Sequence, residues 1–185
     1  AVTLVDGQNL ILNTNAGGGG NITVASITGV AGGSTEDVTL VSGTGTIGVT
    51  GNIGTDIATL ALQENTGTVS GAVTLGGDVS TATITTYAQG YNVILNGASN
   101  AFTGLVTFEN TGTLTLGDGA DTTDFAGGLV ATGPSSITAQ GTVKADGGTG
   151  VLTLGDADTG LTVAGNLQVG GTSTGTISLG DATIA

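Results

Sequence analysis

The chain has 185 residues, of which 37 are Gly and 36 are Thr, and it lacks His, Cys, Met, Trp and Arg; Lys144 is its one basic side chain. That inventory excludes a His general base, a Cys nucleophile, a His or Cys zinc site and an Arg clamp on phosphate. Fourteen acidic residues against one Lys give a net charge of -13, a sign that repels nucleic acid and anionic membrane surfaces and favours cations.

Hydrophobic residues are 38% of the chain and aromatics only 3%, so any core must be built from Val, Ile, Leu and Ala. Disorder does not fit, because disordered chains are charge-rich and poor in β-branched residues; here charge is 8% and Thr, Val and Ile abound. A single proline, Pro134, excludes collagen. No apolar run approaches the ~20 residues of a spanning helix, so membrane insertion is not expected. No charged and apolar leader opens the sequence, which implies a removed signal or an excised segment.

Gly recurs too often for helices to nucleate. Short β-branched runs closed by Gly, Asn or Asp follow one another instead, at 2–5, 9–13, 21–27, 37–41, 58–62, 72–75, 81–86, 92–95, 105–108, 113–116, 150–154, 161–163, 167–169 and 176–179. The pattern predicts an all-β protein of many short strands.

One element recurs. Val73-Thr74-Leu75-Gly76-Gly77-Asp78, Leu114-Thr115-Leu116-Gly117-Asp118, Leu152-Thr153-Leu154-Gly155-Asp156 and Ile177-Ser178-Leu179-Gly180-Asp181 share an aliphatic, a hydroxyl, Leu, Gly and an acid. Strand side chains alternate faces, so Val73, Leu75, Leu114, Leu116, Leu152, Leu154, Ile177 and Leu179 are expected inside. Thr74, Thr115, Thr153 and Ser178 are expected outside. Gly turns the corner and Asp holds the turn backbone.

The Leu positions of the four copies fall 41, 38 and 25 residues apart. The first two intervals approximate two turns of a ~20-residue coil, and the third requires insertions or decay of the repeat. The expected architecture is a parallel β-solenoid, or β-helix, of short Gly/Thr-rich strands, with a β-sandwich as the alternative. About nine coils stacked ~4.8 Å apart would make a rod on the order of 45 Å long. Residues 1–185 read as one repeat-derived β domain, least regular in 1–60 and clearest in 67–185.

The best copy lies within 91–120, YNVILNGASNAFTGLVTFENTGTLTLGDGA. Leu95, Gly97, Ala98, Asn100, Phe102, Thr103 and Gly104, then Gly112, Thr113, Leu114, Leu116, Gly117 and Asp118, follow in order a pattern that resembles the passenger-associated repeat of bacterial autotransporters. Departures are the inserted Ser99, Leu105 where a second Gly is usual, and Glu109-Asn110 in the middle turn. Elsewhere, as in 37–51, the texture is similar to filamentous-haemagglutinin-like surface proteins. The resemblance covers 30 of 185 residues and implies a secreted β-solenoid without naming a target. A chain inert to thiol chemistry, hard to oxidise and with one tryptic site also suits an extracellular or cell-surface location.

Candidate sites are few. Asp118, Asp121 and Asp124, with Asp156 and Asp158, could bind calcium, which takes several carboxylate and carbonyl oxygens; service at solenoid corners is the preferred reading, so the expectation is no cofactor unless calcium. Paired carboxylates could cleave polysaccharide, but no catalytic constellation can be named, and the chain is read as not an enzyme. Thr83/Thr85, Thr113/Thr115 and Thr174/Thr176 could form an ice-binding face, which the lack of register-perfect repetition argues against. Tyr87 and Tyr91 could stack on glycan. Asn21-Ile22-Thr23 is a glycosylation sequon.

The sequence therefore reads as a non-enzymatic structural protein of a surface fibre, sheath or passenger stalk, with an adhesin recognising glycan or host surface as the alternative. Its expected partner is itself, head to tail or by strand addition, because residues 1–5 and 176–185 are strand-like and carry no capping element.

Overall fold

The computed structural model describes residues 1–33, 35–64 and 67–185. The described residues contain no helix, and so none long and apolar enough to cross a membrane. Twenty strands form one continuous, entirely parallel system. They are β1 (Val2–Thr3), β2 (Leu10–Asn13), β3 (Ile22–Val24), β4 (Ile27–Thr28), β5 (Glu36–Val41), β6 (Ile47–Val49), β7 (Ile53–Leu62), β8 (Val73–Leu75), β9 (Val79–Thr85) and β10 (Val93–Leu95). The second half comprises β11 (Ser99–Phe102), β12 (Val106–Thr107), β13 (Thr113–Leu116), β14 (Thr122–Phe125), β15 (Leu129–Ala131), β16 (Ser136–Lys144), β17 (Leu152–Leu154), β18 (Gly160–Gly170), β19 (Ile177–Leu179) and β20 (Ala182–Ile184).

The pairings sort these strands into three faces, each eight strands deep, wound in the order first, second, third. The first face is β3, β6, β8, β10, β13, β16, β18 and β20. The second is β1, β4, β7, β9, β11, β14, β16 and β18. The third is β2, β5, β7, β9, β12, β15, β17 and β19. The long strands β7, β9, β16 and β18 each turn a corner and serve two faces. With hairpins absent from the pairings, the sandwich alternative falls and the chain is a β-solenoid.

Ile22, Ile47, Val73, Val93, Leu114, Ile137, Leu161 and Ala182 form one inward ladder along which a turn takes between 20 and 26 residues, and on the third face the turn from Leu10 to Val38 takes 28. That turn length gives eight turns rather than nine, and a stack of about 38 Å at ~4.8 Å per strand. It also resolves the uneven repeat. Val73–Leu75 and Thr113–Leu116 lie on the first face two turns apart, whereas Leu152–Leu154 and Ile177–Leu179 lie on the third face and pair directly. The element marks a kind of strand, not a fixed place in the turn. Gly117 and Gly155 within it have φ of 77° and 84°, a left-handed geometry that a Cβ disfavours.

Six of the eight aliphatics expected inside are buried: Val73, Leu75, Leu114, Leu116, Leu152 and Leu154. Ile177 and Leu179 correct the reading, at 48% and 49% exposed; β19 has a strand on one side only, so its inward side chains are open along the axis. Thr74, Thr115 and Thr153 are half-exposed on the outer side, and Ser178 is exposed.

The aromatic core is confined to the middle turns. Phe102 stacks on Phe125 at 5.1 Å between centroids, and Phe108 meets Phe125 edge-on at 6.5 Å. All three are buried, as is Tyr91. Phe125 touches both partners, so Phe125→Ala should destabilise the fold by about 3–5 kcal/mol through lost burial and an unfilled cavity. Denaturant melts of the variant against the parent chain measure this.

Candidate functional site

The acidic residues singled out in the sequence are dispersed over two corners and one face. Asp121 lies between the first and second faces, where its Oδ2 accepts the N–H groups of Asp118 (2.8 Å) and Gly119 (3.1 Å). Asp156 lies between the third and first faces, where its Oδ1 accepts the N–H groups of Asp158 (3.0 Å) and Thr159 (2.9 Å). Both are side-chain-closed turns. Asp124 points outward from the second face, its Oδ1 accepting the Asp146 N–H at 3.0 Å and its Oδ2 standing 3.7 Å from the Lys144 ammonium. Lys144 also pairs with Asp146. That hydrogen bond holds the Lys144 ammonium above its ordinary pKa and the Asp146 carboxyl below its own, the latter helped by the Thr172 N–H.

Among the described residues no three acidic groups are placed to hold a metal ion together. With the Asp121, Asp124 and Asp156 carboxylates engaged by backbone N–H groups, a chelator should leave the thermal melt unmoved. A lower melting temperature in chelator would return calcium to Asp118, Asp121, Asp124, Asp156 or Asp158.

A wider pattern uses Asn and Asp just before or within strands. The side-chain oxygen of one turn accepts a backbone N–H of the next: Asn9 from Asp37, Asn21 from Thr46, Asn52 from Asp78, Asp78 from Ser99 and Asn92 from Thr113, at 2.8–3.0 Å. The sequon residue Asn21 belongs to this set. Asp124 and Asp146 continue it toward Asp146 and Thr172. The signal was present in the sequence as an Asx residue preceding an aliphatic at one-turn spacing.

Polar residues inside the solenoid join turns in the same way. Gln63 is wholly buried; its Oε1 accepts the N–H groups of Ser42 (2.9 Å) and Gly43 (3.2 Å), and its Nε2 donates to Ser42 Oγ at 2.9 Å. Asn100 and Thr123 occupy inward second-face positions where neighbouring turns place Val79 and Val143. Asn100 accepts the Val79 N–H at 3.0 Å and donates to Gly97 O and Thr123 Oγ1. Several residues of the 91–120 stretch thus have a structural assignment. Leu95, Phe102, Leu114 and Leu116 are core, Asn100 bridges turns, and a Cβ on Gly112 would come within 2.2 Å of Tyr91 O.

Glu36 is the buried polar residue least accommodated. It is wholly enclosed, with Oε1 accepting the Gly7 N–H at 2.9 Å and Oε2 without a hydrogen-bond partner among the described residues.

The two tyrosines separate. Tyr91, read as a candidate glycan platform, is wholly buried; its hydroxyl donates to Leu62 O and accepts the Tyr87 N–H, both at 3.0 Å. Burial pushes its phenol up to about 12. The folded value lies above the unfolded value of 10.0, so the group's contribution is intact below pH 10 and is lost as pH climbs toward 12. A two-unit shift corresponds to about 2.7 kcal/mol. Base titration should therefore melt the fold with a slope that Tyr91→Phe flattens, read by circular dichroism between pH 9 and 12.

Tyr87 is half-buried at the edge of a shallow groove with Leu105, Thr85, Thr107 and Glu109. Burial first, and then the Glu64 carboxylate, raise its phenol. The Thr pairs do not share a face. The outward column of the first face is nevertheless in register, with Thr23, Thr74, Thr115, Thr138, Thr162 and Thr183 interrupted by Gly48 and Ile94. Gly48 and Ile94 break the array, so the repetition is in register without being perfect, as the sequence implied.

No family model, curated protein or solved structure matches the chain.

Proposed function

We propose that the chain is a non-enzymatic structural protein, the rod-like element of an extracellular surface fibre, sheath or passenger stalk, whose copies join end to end. The observation that carries this reading is the continuous parallel stack itself, in which each turn presents its neighbours with the same profile. Among the described residues β1, β2 and β3, and at the other end β19, β20 and the 167–170 part of β18, are paired on one side only. Exposed apolar side chains concentrate there: Ile11 at 68%, Ile177 at 48%, Leu179 at 49% and Ile184 at 84%. Unpaired strand edges backed by apolar groups template further strands.

Other features agree. Asp, Asn and Gln side chains are largely engaged in turns and turn-to-turn bonds, the work of a scaffold rather than of a reaction centre. The acidic surface disfavours nucleic acid as a partner, and the resemblance at 91–120 supports an extracellular setting. Purified protein should form rods or filaments in negative stain, with a meridional fibre-diffraction reflection near ~4.8 Å. Uniform monomeric particles at every concentration tested would overturn the assembly.

A glycan-binding module is the second reading, favoured by the Tyr87 groove, where a ring, an apolar side chain, hydroxyls and a carboxylate adjoin. Binding on a glycan array that Tyr87→Ala abolishes would establish it.

A further inference from the structure

We infer that Asn96 and Gly97 form a self-modification site that the stacked turns hold closed. When the corner opens, Asn96 converts to aspartate and isoaspartate, and the chain keeps a covalent record of having unfolded there. This is the one Asn-Gly pair in the sequence. Glycine carries no Cβ to obstruct attack of its backbone nitrogen on the preceding side chain. In that attack the Gly97 nitrogen gives its proton to solvent and bonds to Asn96 Cγ, the Cγ–Nδ2 bond breaks, and ammonia leaves behind a five-membered cyclic imide. Water then opens one of the two imide carbonyls, giving aspartate or, with the chain rerouted through the side chain, isoaspartate. One water is consumed and one ammonia released.

The folded corner withholds what the attack requires. Asn96 follows β10 and Gly97 leads into β11, and both strands are paired on both sides, so neighbouring turns flank the corner. The Asn96 N–H donates to Leu75 O at 2.9 Å, and Leu95 O accepts the Gly117 N–H at 2.8 Å. On the other side Asn100 Nδ2 donates to Gly97 O at 3.0 Å. Ring closure must swing Asn96 Cγ over the Gly97 nitrogen, a rotation that these fixed peptides resist. Gly97 is buried, away from the water that would take its proton. Asn96 Oδ1 is buried without a hydrogen-bond partner among the described residues, so the negative charge that grows on it during attack meets no donor.

The products do not suit the closed corner either. A Cβ on Gly97 would come within 2.5 Å of Gly77 O and 2.6 Å of Asn100 Oδ1, so the backbone has no slack for the methylene that isoaspartate inserts. Both products also place an ionised oxygen where the amide oxygen already lacks a donor, a costly burial. A chain converted while open is thereby hindered from closing again.

The test incubates the 185-residue chain in mildly alkaline buffer, folded and in urea, and locates the amide-to-acid mass gain by peptide mass spectrometry. Conversion at Asn96 should be at least about tenfold slower in the folded chain. Asn96→Gln, whose longer side chain disfavours the ring, should abolish it in urea. Equal rates in the two states would overturn closure by the fold. Conversion concentrated at other asparagines, or none at Asn96 in urea, would overturn the site itself. Material converted in urea and returned to buffer should melt below unconverted material taken through the same cycle; coincident melts would overturn the hindrance to refolding.

Discussion

Everything in this molecule depends on the parallel hydrogen bonding of each turn to the turns beside it. Strands of two to four residues on one face are too short to be stable alone. They persist because every turn is held by three such segments at once, and because the register that pairs backbone groups also stacks like side chains. Once Val73, Val93 and Leu114 are level, their inward aliphatics form a continuous apolar column. A slip of one residue would turn the aliphatics outward and the hydroxyls inward.

The same constraint sets the roles of the polar residues. A corner exposes backbone N–H groups that neither adjoining strand can satisfy, and small Asx side chains supply acceptors without adding bulk. Where the chain leaves a ladder inside the rod, Gln63 and Asn100 perform that task in a buried setting, where an unpaired N–H would cost ~1–3 kcal/mol. Glycine answers the other corner requirement, close passage of backbone over backbone, as at Gly112.

How much of this was legible follows from what each signal encodes. Alternation in Val73–Leu75 and Thr113–Leu116 was enough for strand type and facing, because an aliphatic flanked by hydroxyls leaves one economical orientation. Place within the turn was not legible, because the faces accept the same residues; the element at Leu152–Leu154 reads like that at Thr113–Leu116 yet sits on another face. Strands were missed where glycine or polar residues dilute the β-branched run, as in Ile47–Val49, Ser99–Phe102 and Thr122–Phe125. There the register is imposed by neighbours: Asn100 is inward because Thr123 and Val79 are. The exposure of Ile177 and Leu179 is a property of their place in the stack, which no local pattern contains. At the candidate sites, residue type suggested calcium, but the corner separation of Asp121 from Asp156 is a fact of the winding alone.

The interchangeability of the three faces has an evolutionary corollary. A turn contacts only the turns beside it, and it presents them with a generic profile of aliphatic inside, hydroxyl outside and Asx or glycine at the bend. Duplicating or excising one whole turn would leave two surfaces that still fit, so the gene can change the length of the rod in steps of one turn without redesigning a core. A sandwich of equal size has no such freedom, since each of its strands is matched to particular partners across the interior.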